Sequence, residues 1–122
     1  MKREDVLSGP GIGREFVRRF AGHRPMVKLL MNTGKIRTSQ EKAEQVRFVM
    51  DRLVTLATAD SDAARRQAYK YLNDNRALNR LFNHVAPCCQ EVEGHYVRLT
   101  PIGGAGTAAP MTMVELPLEE KP

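Results

Sequence analysis

Apolar side chains recur along most of this chain at spacings of three and four, and near its end at spacings of two. Ala43, Val46, Val49, Met50, Leu53, Leu56 and Ala57 form the longest stripe of the first kind, one face of a helix. They predict a helix from about Ser39 to Thr58. At its head, Thr38-Ser39-Gln40-Glu41 reads as a capping box, in which the Thr38 hydroxyl and the Glu41 side chain each take an otherwise unpaired backbone N–H. Upstream, a first helix from Arg14 has Phe16, Val17 and Phe20 on an apolar side and Arg14, Arg18 and Arg19 on a basic one. Pro25 interrupts or restarts it, because proline lacks an N–H and crowds the preceding turn. The apolar stretch Met26 to Met31 follows, and Asn32-Thr33-Gly34 ends it, with Gly34 suited to a left-handed C-cap. Downstream, Asp60-Ser61-Asp62 caps a helix whose Ala64, Ala68, Tyr71 and Leu72 face inward while Arg65, Arg66 and Lys70 face outward. Asn73-Asp74-Asn75 breaks that helix. Leu78, Leu81, Phe82 and Val85 stripe another, which Pro87 should stop before the loop CCQEVEG.

The period then changes to two. Tyr96 to Thr100 and Met111 to Leu116 alternate as strands, joined by PIGGAGTAAP, which is too long for a two-residue turn. Two strands alone are marginal in water, so they need a third strand and a covering helix. Lys35-Ile36-Arg37-Thr38 can supply the strand and the long helix the cover. The expected fold is α+β: a single domain over residues 14–116, with about four to five helices packed on a small mixed three-stranded sheet. An extended Gly-rich arm, residues 1–13, precedes it, and a frayed acidic tail, residues 117–122, follows.

Length and composition fit one domain with a modest core: 122 residues, 42% of them hydrophobic. No apolar run reaches the roughly 20 residues that span a bilayer, so a membrane is not expected as a partner. The opening MKREDVLSGPG lacks the apolar stretch of a secretory signal, and Glu4 and Asp5 count against an uncleaved organelle presequence. Cys88 and Cys89 are adjacent, a spacing that does not readily close a disulfide, and read as free thiols.

Charge changes the picture more. Residues 1–47 hold 11 Lys/Arg against 5 Asp/Glu, a net of +6, while residues 48–122 hold 8 against 9, a net of −1. Within the first part, Arg14, Arg18, Arg19, Arg24, Lys28, Lys35 and Arg37 are opposed only by Glu15. Such a basic segment suits a polyanion, since each neutralised phosphate releases counterions. Arg65, Arg66 and Lys70 make a second, smaller basic face. Phe16 and Phe20 could stack on bases, but their spacing is that of core residues.

Other chemistry is poorly supported. GPGIGR and IGGAGTA carry glycines without the strand, Gly-Lys-Ser/Thr and helix of a phosphate-binding loop. His23, His84 and His95 are scattered, with no partner at metal-ligand spacing, so neither a metal nor a cofactor is expected. Cys88 with His84 four residues earlier is a conceivable nucleophile pair, but Pro87 intervenes and no orienting group is visible. A small-molecule substrate is not expected. Three readings stand: a structural RNA-binding protein, a free-standing nucleic-acid regulator using residues 14–37, and a small thiol enzyme centred on Cys88.

One resemblance separates them. GKIRTSQEKA, RLVTLA, ARRQA, LFNHVAP, GHYVRL and AAPMTMVEL occur in this order, and GIGR stands near the start. The ordered set resembles successive blocks of the bacterial-type ribosomal large-subunit protein L-seventeen family, from about Gly9 to Leu116. The resemblance implies a compact α+β fold, no catalysis, and binding to large-subunit rRNA near the exit of the nascent-chain tunnel, beside neighbouring large-subunit ribosomal proteins. It implies RNA contact by Arg14, Arg24, Lys35, Arg65, Arg66 and Arg98, which fall in the matching blocks; charge alone adds Arg18, Arg19, Lys28 and Arg37. This chain departs from the family in two places. It opens MKREDVLS where members carry a dense basic run, and its hairpin loop is GGAGTAA where theirs tends to be basic. Fewer phosphate contacts suit a ribosome with less RNA, so the expected location is a mitochondrial ribosome, with the bacterial cytoplasm as the alternative.

Overall fold

The computed structural model describes residues 12–90, 95–102 and 111–118. The expected acidic end of the tail, most of the glycine arm and residues 103–110 of the hairpin loop lie outside them.

The apolar stripe is realised as α3 (Gln40–Ala59), with Ala43, Val46, Val49, Met50, Leu53, Leu56 and Ala57 all buried. Its N-cap is Ser39, whose hydroxyl accepts from the Lys42 N–H at 3.3 Å, rather than the expected Thr38. The strand before it decides this. β1 (Lys35–Ser39) alternates so that Ile36 and Thr38 point into the core, which leaves the Thr38 hydroxyl unable to reach the helix start.

Before β1 come α1 (Arg14–Phe20), a 3₁₀ turn at Ala21–His23 and α2 (Arg24–Thr33). Pro25 sits in the first turn of α2, where its missing N–H costs nothing, so it restarts the helix. Gly34 closes α2 at φ 85°, donating its N–H to the Leu30 carbonyl at 2.8 Å. After α3, the left-handed residues Asp60 and Asn73 end α3 and α4 (Asp62–Leu72) in the same way, and Ser61 caps the start of α4.

Asp74 then caps α5 (Asn75–Arg80), accepting from the Arg76 and Ala77 N–H groups. The helix does not stop at Pro87, as the sequence suggests. It passes through a π turn at Leu81–Val85 into α6 (Ala86–Cys88). The Ala86 N–H bonds back five residues to the Leu81 carbonyl. This wide turn precedes Pro87, whose ring would otherwise crowd the carbonyl of Asn83.

The sheet contains β1, β2 (Arg98–Ile102) and β3 (Met111–Glu115) in the order β1-β3-β2. The α+β class and the third strand are as expected, but both pairings are antiparallel rather than mixed. β1 and β2 do run the same way, yet β3 lies between them. Pro101 is accommodated because β2 is an edge strand. Ile36, Val114 and Leu99 share the inner face, covered by α3.

The core takes in residues before α1 and after β3. Ile12 is 2% exposed, and its N–H donates to Gln67 Oε1 at 3.0 Å. Leu118 packs against the core beside Gly34.

Candidate nucleic-acid interface

The strand register sorts the sheet's cations. Lys35 and Arg37 alternate outward with the buried Ile36 and Thr38, so both are exposed on the open face. Arg98 is exposed on the same face of β2. Lys35 and Arg98 are both register partners of Glu115 on the central strand. One carboxylate therefore faces two cations, and the row keeps a positive surplus. The next row across the same face is Arg37, Met113 and Thr100.

The helical cations divide differently. Arg14, Arg18, Arg19 and Arg66 are exposed. Arg18 pairs with Glu15 on its own helix at 2.7 Å, with both side chains more than three-quarters exposed, so the pair contributes little. The Arg19 guanidinium lies 5.4 Å from the centre of the Phe20 ring.

Three of the predicted cations are occupied internally. Arg24 donates from Nε to the Tyr71 carbonyl at 2.6 Å and lies over the Tyr71 ring at 5.3 Å. It thereby caps the C-terminal end of α4, where a cation meets the negative end of the helix dipole. Arg65 pairs with Asp60 at 3.0 Å and lies 4.5 Å from the Phe82 ring centre. Lys28 reaches Asp74 at 3.3 Å, and with the first-turn amides it holds the Asp74 carboxyl below its ordinary pKa; the Ala77 N–H is the larger cause. The ten predicted residues thus do not form one patch of equivalent contacts.

The sequence reading does not single out Arg52, Arg76 or Arg80. Arg80 donates to the carbonyls of Met31 and Asn32 at 3.0 and 3.4 Å, at the C-terminal end of α2. Arg76 and Arg80, with Lys28, line an open groove of about 430 Å³ between α2 and α5. The Arg76 and Arg80 spacing of four on one predicted helix was the available signal. Arg52 lies over Phe16 and the half-exposed Phe48, at 5.9 and 5.7 Å from their ring centres. Phe20 is core, as its spacing indicates, and Phe16 is half-buried against it at 4.9 Å.

Cys88 is half-buried at the end of α6 and Cys89 is buried in the core, and neither is in a disulfide. Among the described residues no group of His, Cys, Asp and Glu could hold a metal, and no helix is long and apolar enough to cross a membrane.

Comparison with known proteins bears on what these cations face. The sequence profile of ribosomal protein L17 matches residues 23–117. A relative from Nitratidesulfovibrio vulgaris strain Hildenborough, named large ribosomal subunit protein bL17, is 38% identical over 110 residues, covering 88% of this chain and 83% of the relative. The protein of the same name from N. vulgaris strain Miyazaki F is 36% identical over 124 residues, covering 93% of each. A third, from Desulforapulum autotrophicum, is 36% identical over 114 residues, covering 93% of this chain and 95% of the relative. The profile spans α2, all three strands and the helices between them, so the open sheet face and the groove are both inside the match. The chain belongs to the ribosomal protein L17 family.

Proposed function

We propose that this protein is a structural constituent of the large ribosomal subunit, binding large-subunit rRNA with the cations that its own fold leaves to solvent. The family match over residues 23–117 carries the reading. Its relatives bear the name of a large-subunit ribosomal protein.

Physical chemistry divides the predicted contacts into classes. Lys35, Arg37 and Arg98, on the open face of the sheet, can each meet a phosphate without losing an internal partner. Arg14, Arg19 and Arg66 are exposed and extend the basic surface onto α1 and α4. Arg18 can exchange Glu15 for phosphate at small cost. Arg24 and Arg65 act first on the fold, holding helix ends and aromatic faces, and reach RNA only with the donors that remain. Partners are the rRNA and neighbouring large-subunit proteins, near the nascent-chain tunnel exit. The relatives named above are bacterial, which favours a ribosome of the bacterial cytoplasm over the mitochondrial one that the reduced basic charge suggests.

The test is crosslinking of the tagged, full-length chain in its native cells, followed by sequencing of the bound RNA. Reads concentrated on large-subunit rRNA are expected, and the genome encoding that RNA identifies the compartment. Reads scattered over messages, or an absence of reads, would end the ribosomal assignment.

A further inference from the structure

We infer that the groove between α2 and α5 is a seat for a backbone phosphate of the bound RNA, held by Lys28, Arg76 and Arg80. The inference rests on the rRNA-binding reading and names a site within it.

Three cations and a single carboxylate, Asp74, line the groove. Arg76 and Arg80 are four apart on one helical rod, a spacing at which like charges repel. Lys28 adds a third cation from α2 across the groove. Asp74 balances only one of them. It is also committed elsewhere, since its Oδ1 accepts the two α5 amides while Oδ2 meets Lys28 at 3.3 Å. The surplus is a standing cost that an anion in the groove would remove.

The cations differ usefully in freedom. Arg80 is clamped by the carbonyls of Met31 and Asn32 at the negative end of α2. A guanidinium has five N–H donors, so this clamp leaves about three for an anion on a side chain already immobilised. Binding through it costs little further rotamer entropy. Arg76 is exposed and makes no ion pair among the described residues. Lys28 is held by a long pair at 3.3 Å, about one-third exposed, and can turn toward a phosphate that replaces Asp74 as its partner. One fixed and two adjustable cations around one concavity suit a phosphodiester, whose negative charge is shared between two oxygens. Asn32 at the same rim offers a polar contact to the adjoining ribose.

The experiment measures binding of the full chain to a cognate large-subunit rRNA fragment as a function of salt. Variants are Arg76→Gln, Lys28→Gln, the double substitution, and Arg76→Lys as the charge-conserving control. Each loss of a phosphate contact should lower the slope of log K against log salt by about 0.7 to 0.9. We therefore expect the double variant to show that loss once, each single variant a part of it, and Arg76→Lys to keep the wild-type slope. Ethylation interference should find one phosphate whose modification weakens the wild type but not the double variant. A double variant with the wild-type slope, while RNA binding persists, would overturn the groove and leave the rRNA reading intact. If wild-type protein binds no RNA, the rRNA reading itself fails. A double variant that binds RNA normally but loses a crosslink to a neighbouring protein would assign the groove to that protein's carboxylates and overturn the proposal. Inorganic phosphate alone raising the melting temperature of the wild type, with an unchanged RNA slope in the variants, would make the occupant a free ion, again against the proposal.

Discussion

Tyr71 joins α4 to the first turns of the domain, and its hydroxyl provides a direct test of that joint. The side chain is fully buried, and the hydroxyl donates to the Phe20 carbonyl at 2.7 Å, across 51 residues of sequence. That carbonyl lies where α1 ends and the 3₁₀ turn begins. Tyr71→Phe keeps the ring, and so keeps the Phe16 edge contact at 5.7 Å and the Arg24 stack at 5.3 Å. Only the bond is removed, and the Phe20 carbonyl keeps the bond that opens the 3₁₀ turn. Such a loss costs about 0.5–1.5 kcal/mol. For a domain of this size each kcal/mol moves the melting temperature by about 3–5 °C, so a fall of about 2–8 °C is expected. Urea unfolding followed by circular dichroism should show a lower midpoint with an unchanged slope, because the surface exposed on unfolding is the same. Tyr69→Phe, at an exposed site, is the control and should lie within about 0.5 kcal/mol of wild type. The same buried hydroxyl has an alkaline signature. Burial pushes the Tyr71 hydroxyl from 10.0 up to about 12, against a smaller opposite pull from Arg24. The folded protein therefore holds this proton more tightly than the unfolded chain. Its contribution is complete below pH 10.0 and is lost as pH rises toward about 12, a loss that Tyr71→Phe should lack. A variant as stable as wild type, with the same alkaline limb, would refute the joint.

Two carboxylates should respond to acid in opposite directions. Asp51 accepts from the Tyr96 and Val97 N–H groups at 3.0 and 3.2 Å and meets His95 Nδ1 at 2.7 Å, fastening the entry of β2 to α3. Asp51→Ala should cost about 2–4 kcal/mol in urea unfolding, through buried donors left without an acceptor, and Asp51→Asn should cost less because one acceptor oxygen remains. Burial outweighs these bonds and raises the Asp51 pKa above 3.8, so its proton-linked stability falls as pH rises from there through the folded value; Asp51→Asn should flatten that fall. Asp74 is lowered, first by the Ala77 N–H and then by Lys28, so its contribution is present above 3.8 and is lost as pH falls through the folded value. Thermal melts of Asp74→Asn, which retains a capping oxygen, should differ from wild type above 3.8 and converge with it in stronger acid.

What the sequence makes legible here is what local physics decides. The stripe from Ala43 to Ala57 is a helix because a period near 3.6 buries one face, and Gly34 ends α2 because few other residues accept a φ of 85°. Errors arise where a neighbour in space overrides the local rule. Thr38 has the chemistry of an N-cap, but its pairing with Thr112 turns it inward, and the cap passes to Ser39. Pro87 has the chemistry of a helix stop, but the preceding π turn carries the helix past it. The direction of the sheet could not follow from three strand patterns, because it depends on β3 entering between β1 and β2.

The site obeys the same division, with a larger consequence. Charge identifies arginine, but not what each arginine holds. Arg24 and Arg80 lie 47 and 49 residues from the helix ends they bind, and nothing local marks those partners. Lys35, Arg37 and Arg98 are different, because strand alternation alone turns them to the side opposite the core once the sheet exists. In the proposed rRNA-binding role the same residue type both closes helix ends and presents charge to RNA. In the proposed groove Arg80 would combine the two, because the carbonyls that take part of its donor set also fix the remainder in place. Replacing the cations on the open sheet face should therefore weaken RNA binding with little change in stability. Replacing Arg24 or Arg80 should lower both together, because the helix end loses its cap before the RNA loses its contact.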